Sequence, residues 1–201
     1  DPIPSRGLGD VYKRQGIIVY AGKAYAQLPL TTDYTAAKMF LRTINTDMVP
    51  TQGTDIGNAV EMALSYFESG KEQNRVLFIL SDGESHEEGA LEASELASEN
   101  GILIHAIGLG TLDGGPIPIK RNGVVKGYKK DNEDKVVVTK MDPAMLQQLA
   151  LSTEGNFIDG MNTKKTIEFI KSSIGKMEQV ESETEMYTEY EDQFQWILAM
   201  A

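Results

Sequence analysis

Two polar stretches of the sequence carry oxygen side chains at positions suited to binding a metal ion. SDGE directly follows the apolar run 75–80 and places Asp82 where that run ends, while Thr54 stands in TQGTDIG, just before a helical pattern. A carboxylate and a hydroxyl are hard oxygen ligands of the kind that Mg²⁺ prefers. Each residue has a simpler alternative role as the cap of a following helix. The motifs alone leave both interpretations open.

A hydrolytic centre is the rival chemistry. Asp82, Glu84 and His86 lie close together in the sequence, and a metal beside a carboxylate or an imidazole can activate water. The chain has 2 histidines, and the second, His105, lies inside an apolar run where a core role is expected. We therefore expect binding rather than catalysis, so that the protein is not an enzyme.

The composition narrows the class of protein. The 201 residues carry a formal net charge of -11, which argues against nucleic-acid binding because a phosphate backbone requires a basic surface. Cysteine is absent, which excludes disulfides, thiolate metal sites and a thiol nucleophile. The length predicts one domain with extensions.

Strand-like and helical patterns alternate along the chain, which predicts an open, doubly wound, mostly parallel α/β sheet with helices on both faces. The predicted strands are 16–21, an edge strand at 23–28, 75–80, 102–108 and 155–158. The continuous apolar run 75–80 is typical of a central strand that is buried on both faces. Ligands of such sheets bind at the carboxyl ends of the strands, where Asp82 lies.

Caps and periodicity predict the helices. One helix starts at Thr32 or Asp33, one near 54–57, one after the acid-rich turn and one at Asp142-Pro143. Gly101 should end the third of them. The apolar faces are predicted to contain Ala37, Phe40, Leu41 and Ile44 in the first helix, Ile56, Val60, Ala63, Leu64 and Phe67 in the second, Ala90, Ala93 and Ala97 in the third, Leu146, Leu149 and Ala150 in the fourth, and Ile167, Ile170, Ile174 and Met177 in a last helix.

Residues 111–140 are predicted to form an inserted hairpin, because Asn122-Gly123 stands between short apolar runs. The insert follows the carboxyl end of a strand and should therefore rise from the same edge as Asp82. It concentrates positive charge in an acidic protein. We expect it to help select a partner through Lys120, Arg121, Lys126, Lys129 and Lys130.

Together GIIVYAG, QLPLTTDY, TQGTDIGNAV, VLFILSDGESHEEG and IHAIGLGTLDGGPIPI resemble, in this order and spacing, a von Willebrand factor A-type domain. The likeness runs from residue 16 to about 198 and is greatest to the membrane-anchored proteins of the bacterial aerotolerance operon. It implies a metal-ion-dependent adhesion site built from three loops. Thr54 matches the second loop and Asp82 the third.

The first loop of that family, an Asp-x-Ser-x-Ser motif, has no counterpart here, since Asp10 is followed by Tyr12 and Arg14. Residues 1–15 are therefore interpreted as non-native, and the chain as an N-terminally truncated fragment that lacks the first strand, the first helix and the main metal loop. The missing strand would lie between 16–21 and 75–80. Its neighbours are expected either to keep open edges or to close up and pair with each other.

The resemblance also implies function and location. The intact protein should bind Mg²⁺ or Mn²⁺ and use it to hold a partner carboxylate, with Glu84 a further partner-binding candidate, whereas this chain should bind metal weakly or not at all. Without the metal, an interaction domain remains the alternative. The expected partners are other aerotolerance-operon proteins and a MoxR-type AAA ATPase.

The expected location is the bacterial inner membrane, with the domain on the periplasmic or outer side. The von Willebrand factor A-like domain would then comprise residues 16–177. Residues 178–193 contain seven acids and no lysine or arginine, which is typical of a solvated linker. Residues 194–201 would begin a transmembrane helix.

Overall fold

The structure is a computed structural model that describes residues 13–45, 48–51, 53–68, 74–84, 89–121, 124–131 and 133–177. Its elements are, in chain order, β1 (Gln15–Tyr20), β2 (Ala24–Thr31), α1 (Tyr34–Thr43), α2 (Ile56–Glu68), β3 (Arg75–Ser81), α3 (Ala90–Glu99), β4 (Ile102–Gly108), β5 (Gly115–Pro116), β6 (Pro118–Arg121), β7 (Val124–Tyr128), β8 (Val138–Thr139), α4 (Pro143–Leu151) and β9 (Phe157–Asp159). A further helix, α5, covers residues 163–177.

The core is a parallel sheet with the strand order β3-β4-β9 and helices on both faces. On one face, residues of β3 and β4 pack with α2, α3 and α4 in a single apolar cluster, which comprises Ile56, Val60, Ile79, Ala90, Ala93, Ala97, Ile102, Ile104 and Leu149. On the other face, Phe169 of α5 contacts His105 of β4, with ring centroids 5.0 Å apart. The predicted α/β architecture is confirmed.

The first two strands form a separate antiparallel pair. Among the described residues no backbone ladder joins β1 to β3, so of the two expected outcomes the strands do not pair with each other. The hydroxyl of Tyr20 donates a hydrogen bond to the carbonyl oxygen of Leu80, 3.3 Å away, and so connects the two units.

The prediction that 75–80 is a central strand buried on both faces is wrong. β3 pairs with β4 along one edge only within the described part of the chain, and the residue Leu80 is 53% exposed. Because no described strand covers its second edge, an apolar run that could be buried on both faces is only partly buried.

Most helix caps are confirmed. Asp33 accepts hydrogen bonds from the second and third residues after it, and Asp142 does the same at the start of α4. Two predicted apolar faces are partly wrong, because Leu41 is 61% and Ile167 is 47% exposed. The inner face of α5 instead uses Phe169, which lies against the sheet.

The insert consists of short antiparallel ladders. β6 pairs with β7 and β5 pairs with β8. Arg121 is opposite Val124 across positions 122 and 123, as expected for a hairpin turn there. The Asn122-Gly123 turn itself, residues 1–12, His86 and 178–201 lie outside the described residues. No described helix is both long and apolar enough to cross a bilayer.

Candidate functional site

An open cavity of about 590 Å³ lies beyond the carboxyl ends of β3 and β4. Asp82 and Thr54 both line it, from two different loops. Residues 115–118 of the insert form another wall, so the insert does rise from this edge of the sheet. The structure therefore brings together the two predicted metal ligands and the segment that we expected to select a partner.

Asp82 is held in a tight turn at the end of β3. The Gly83 amide donates to Ser81 Oγ at 3.0 Å, and the Glu84 amide donates to Asp82 Oδ1 at 3.2 Å. The Asp82 carbonyl accepts from the Asp142 amide at 2.7 Å. Gly83 has φ +79°, and a Cβ there would overlap the Asp142 carbonyl, which explains the glycine behind the aspartate.

The capping alternative for Asp82 is not what the structure shows. The helix that follows, α3, begins at Ala90, and its N-cap position is Gly89. The Asp82 carboxylate is half-buried at the cavity, and the hydrogen bond to its Oδ1 is local. Asp82 therefore lines the cavity and does not cap α3.

Thr54 is not the N-cap of α2 either. Asp55 performs it, because Asp55 Oδ1 accepts the Asn58 amide at 2.8 Å in the first turn of α2. The Asp55 amide donates to the Ala21 carbonyl at 2.7 Å, which fixes this loop to the turn between β1 and β2. Thr54 is thereby held at the cavity wall by contacts of its neighbours.

Glu84 has a positioning contact that the sequence did not reveal. Its Oε1 accepts the backbone amide of Lys140 at 2.8 Å. Together with the bond from Asp142 to Asp82, this contact ties the end of β3 to the segment that leaves the insert. Glu84 was predicted to bind a partner, and in the structure at least one of its oxygens is used within the chain.

Two cavity residues were missed by sequence reasoning. Tyr20 lies at the end of an apolar strand pattern and Lys140 is the last residue of the insert, so neither stands in a recognisable motif. Burial raises the pKa of Tyr20, and the charge of Asp82 raises it further, while a hydrogen bond with Ser81 opposes both. The Tyr20 hydroxyl therefore remains a neutral donor at the cavity wall.

The two histidines do not contribute a described acid-base group here. His105 lies in the core, where its Nδ1 accepts the Asn156 amide at 3.0 Å, so the expected core role is confirmed. His86 lies outside the described residues. Within the part of the chain that the structure describes, no three His, Asp or Glu side chains cluster as a metal-binding group.

The predicted basic residues of the insert are exposed where they are described. Arg121, Lys126 and Lys129 lie on its surface. Lys130 instead pairs within the insert, since its Nζ lies 2.9 Å from Asp134 Oδ1. The side chain of Lys120 is outside the described set.

Comparison with known proteins gives a consistent result. The family model of the von Willebrand factor type A domain matches residues 8–159. The crystal structure of a conserved hypothetical protein, BatB, from Bacteroides thetaiotaomicron is 37% identical, with a TM-score of 0.77, and the match covers 83% of this chain and 80% of that one. No curated protein matches the sequence significantly.

Two further structures are similar. An aerotolerance-related membrane protein from Bacteroides fragilis NCTC 9343, with multiple mutations to serines, is 37% identical, has a TM-score of 0.74 and covers 84% of this chain and 83% of that one. Proximal thread matrix protein 1 from the mussel byssus, with a zinc-occupied MIDAS motif, is 20% identical, with a TM-score of 0.56, and the match covers 80% of this chain and 34% of that one. The latter shows the shared fold alone.

Proposed function

Because the chain belongs to the von Willebrand factor type A family, we propose that it is a protein-binding domain whose partner docks in the cavity between Thr54, Asp82 and the insert. One observation carries the proposal. The two predicted ligand residues line the same cavity, and neither caps a helix. Domains of this family typically act in protein interaction, and the cavity offers no described imidazole for acid-base catalysis.

The donor chemistry at the cavity fits Mg²⁺ or Mn²⁺, which accept oxygen ligands. The Thr54 hydroxyl and the Asp82 carboxylate would hold the ion, which supplies a positive charge that attracts a partner carboxylate. Mg²⁺ takes about six oxygens and gives up water reluctantly. Since Asp82 is the one carboxylate among the described residues that line the cavity, we propose that this chain binds the ion weakly.

The likeness to the BatB and aerotolerance-related structures supports a more specific proposal. The protein would be anchored in a bacterial inner membrane, with this domain on the periplasmic or outer side. Its partners would be other aerotolerance-operon proteins and a MoxR-type AAA ATPase. The exposed cations Arg121, Lys126 and Lys129 would steer an acidic partner towards the cavity.

The proposal is tested by binding of purified aerotolerance-operon proteins and the MoxR-type ATPase, measured by biolayer interferometry with Mg²⁺ and with EDTA. We expect Asp82→Asn to weaken Mg²⁺-dependent binding by about tenfold or more, because it removes a charged ligand. Asp159→Asn is the matched control. Asp159 also ends a parallel strand and accepts an amide two residues on, from Met161 at 2.9 Å, but it does not line the cavity.

Three outcomes would change the proposal. Equal losses for Asp82→Asn and Asp159→Asn would show a general effect on the fold. Binding unchanged by both EDTA and Asp82→Asn would favour a metal-free interaction domain. Turnover of phosphoesters by the purified protein, lost in His86→Ala, would instead favour the hydrolase centre of Asp82, Glu84 and His86.

A further inference from the structure

The charges of the cavity point to the chemistry of the segment that fills it. Of the described residues that line the cavity, Asp82 is the one acid and Lys140 the one base. Much of the remaining wall is apolar and includes Leu80, Leu109 and Ile117. The cavity therefore combines one cation with a largely apolar surface.

The backbone around Lys140 is fixed by three hydrogen bonds to other loops. The Lys140 amide donates to Glu84 Oε1 at 2.8 Å. The next two amides donate to the Thr111 carbonyl at 3.1 Å and to the Asp82 carbonyl at 2.7 Å, and Met141 between them is buried. The position from which the Lys140 side chain extends is thus determined before any partner binds, which lowers the entropic cost of a contact made there.

The Lys140 side chain itself is available. The residue is exposed, and within the described residues its ammonium group forms no ion pair. Lys130 and Lys135 differ from it, because they pair with Asp134 and Glu133 inside the insert. A preorganised lysine at the rim of a largely apolar cavity, with no ion pair among the described residues, is complementary to a carboxylate from another molecule.

We propose that Lys140 is a specificity-determining residue, and that the cavity takes an extended acidic peptide segment whose carboxylate binds Lys140 while a neighbouring apolar side chain packs on Leu109 and Ile117. The inference rests on the proposed function for the place where the partner docks. Lys140 adds a second contact for an acidic side chain of the partner, and this contact does not depend on a metal ion. Glu84 acts as the residue that positions Lys140.

The effect of Asp82 on binding of an acidic segment should change sign when a metal ion is added, and this gives a second test of the inference. In the absence of metal, its charge repels an acidic segment, because like charges in one cavity disfavour binding. With a cation bound, the same carboxylate holds the attracting charge. Replacing Asp82 by Asn should therefore strengthen binding of an acidic peptide in EDTA and weaken it in Mg²⁺, whereas replacing Lys140 should weaken it in both.

The probe is the blocked peptide acetyl-Leu-Asp-Leu-amide, with the Leu-Asn-Leu peptide as its neutral counterpart. Both are titrated into the isotope-labelled full chain and followed by amide chemical shifts in EDTA. We expect the wild type to prefer the Asp peptide by about threefold, the size expected of a solvent-accessible ion pair, and Lys140→Gln to lose that preference. Lys38→Gln is the matched control, because Lys38 is an exposed lysine of α1 that does not line the cavity.

The outcomes separate the two proposals. No binding of the Asp peptide, equal binding of both peptides, or the same loss in Lys38→Gln as in Lys140→Gln would overturn the role of Lys140. If the preference for the Asp peptide depends on Lys140 in EDTA, but Mg²⁺ does not strengthen binding, the proposed metal-dependent function fails while this inference stands. Unperturbed amide spectra of each variant, away from the cavity, confirm that the fold is intact, and Lys140→Arg, which keeps the charge, should retain the preference.

Discussion

β3 and β4 are adjacent parallel strands of 7 residues each, yet they differ in burial. Ile104 and Ala106 of β4 have no exposed surface, whereas Leu80 of β3 is 53% exposed. β4 has a strand on each side, while β3 has one only along its β4 edge among the described residues. An apolar run therefore shows that a strand can be buried. How much of the strand is buried depends on whether other strands pair with both of its edges.

The largest expected effect on stability comes from truncating one side chain in each strand. Ile104→Ala should lower the free energy of unfolding by about 2 to 5 kcal/mol, because it leaves a cavity in the core. Leu80→Ala should cost less than about 1 kcal/mol, as for a largely exposed position. Urea denaturation of both variants measures the two losses in the free energy of unfolding. Equal losses would show that the second edge of β3 is covered in solution.

The turn after β3 gives a second, smaller effect. Gly83 and Gly89 both have left-handed backbones, with φ +79° and +103°. A Cβ on Gly83 would overlap the Asp142 carbonyl, whereas one on Gly89 meets nothing within 4 Å. Gly89→Ala should therefore cost about 1 to 2 kcal/mol from backbone strain alone, and Gly83→Ala more.

Thermal or urea unfolding of Gly83→Ala and Gly89→Ala separates the cost of backbone strain from the cost of steric overlap. If both alanine variants lose the same stability, the segment at Asp142 moves aside without cost, and the end of β3 is less fixed than its hydrogen bonds indicate. A larger loss in Gly83→Ala should be accompanied by weaker Mg²⁺-dependent partner binding, because the same turn holds Asp82.

The smallest expected effect concerns the second face of the sheet, where His105 of β4 packs between Phe78 of β3 and Phe169 of α5. Burial lowers the pKa of His105 below its ordinary value of 6.5, and the charge of Lys176 lowers it further. The unfolded chain therefore takes up this proton at a higher pH than the folded chain does. The stabilisation is present above about pH 6.5 and is lost as the pH falls towards the folded pKa.

The measurement is the difference in unfolding free energy between wild type and His105→Gln from pH 8 to pH 5. We expect it to be constant above about pH 6.5 and to shrink below. In Lys176→Gln the loss below about pH 6.5 should be smaller but still present, since the change removes the second cause of the pKa shift of His105 and leaves burial, the first. A difference that does not vary with pH would mean that His105 is accessible to protons in the folded state, and that the two faces of β4 are less alike than their burial indicates.

Much of the fold could be predicted because its signals are local. Asp33 and the Asp142-Pro143 pair mark helix starts, and Gly101, with φ +68°, marks a helix end; each is read from neighbouring residues and is confirmed. The common position of Thr54 and Asp82 was also predictable. Parallel strands place their carboxyl ends at one edge of a sheet, so residues far apart in the sequence meet there.

Other features depend on contacts between distant parts of the chain, which no local pattern encodes. Asp55 rather than Thr54 caps α2, because the loop docks on the turn at Ala21. Glu84 bonds to the amide of Lys140, 56 positions away, and that contact brings a lysine without a motif to the cavity. The sequence by itself determined the elements, their order and the edge at which they build a site. Only the tertiary structure decided which strand edges are paired, which apolar residues are buried and which charges face the cavity, because each of these follows from packing and hydrogen bonds between segments remote in sequence.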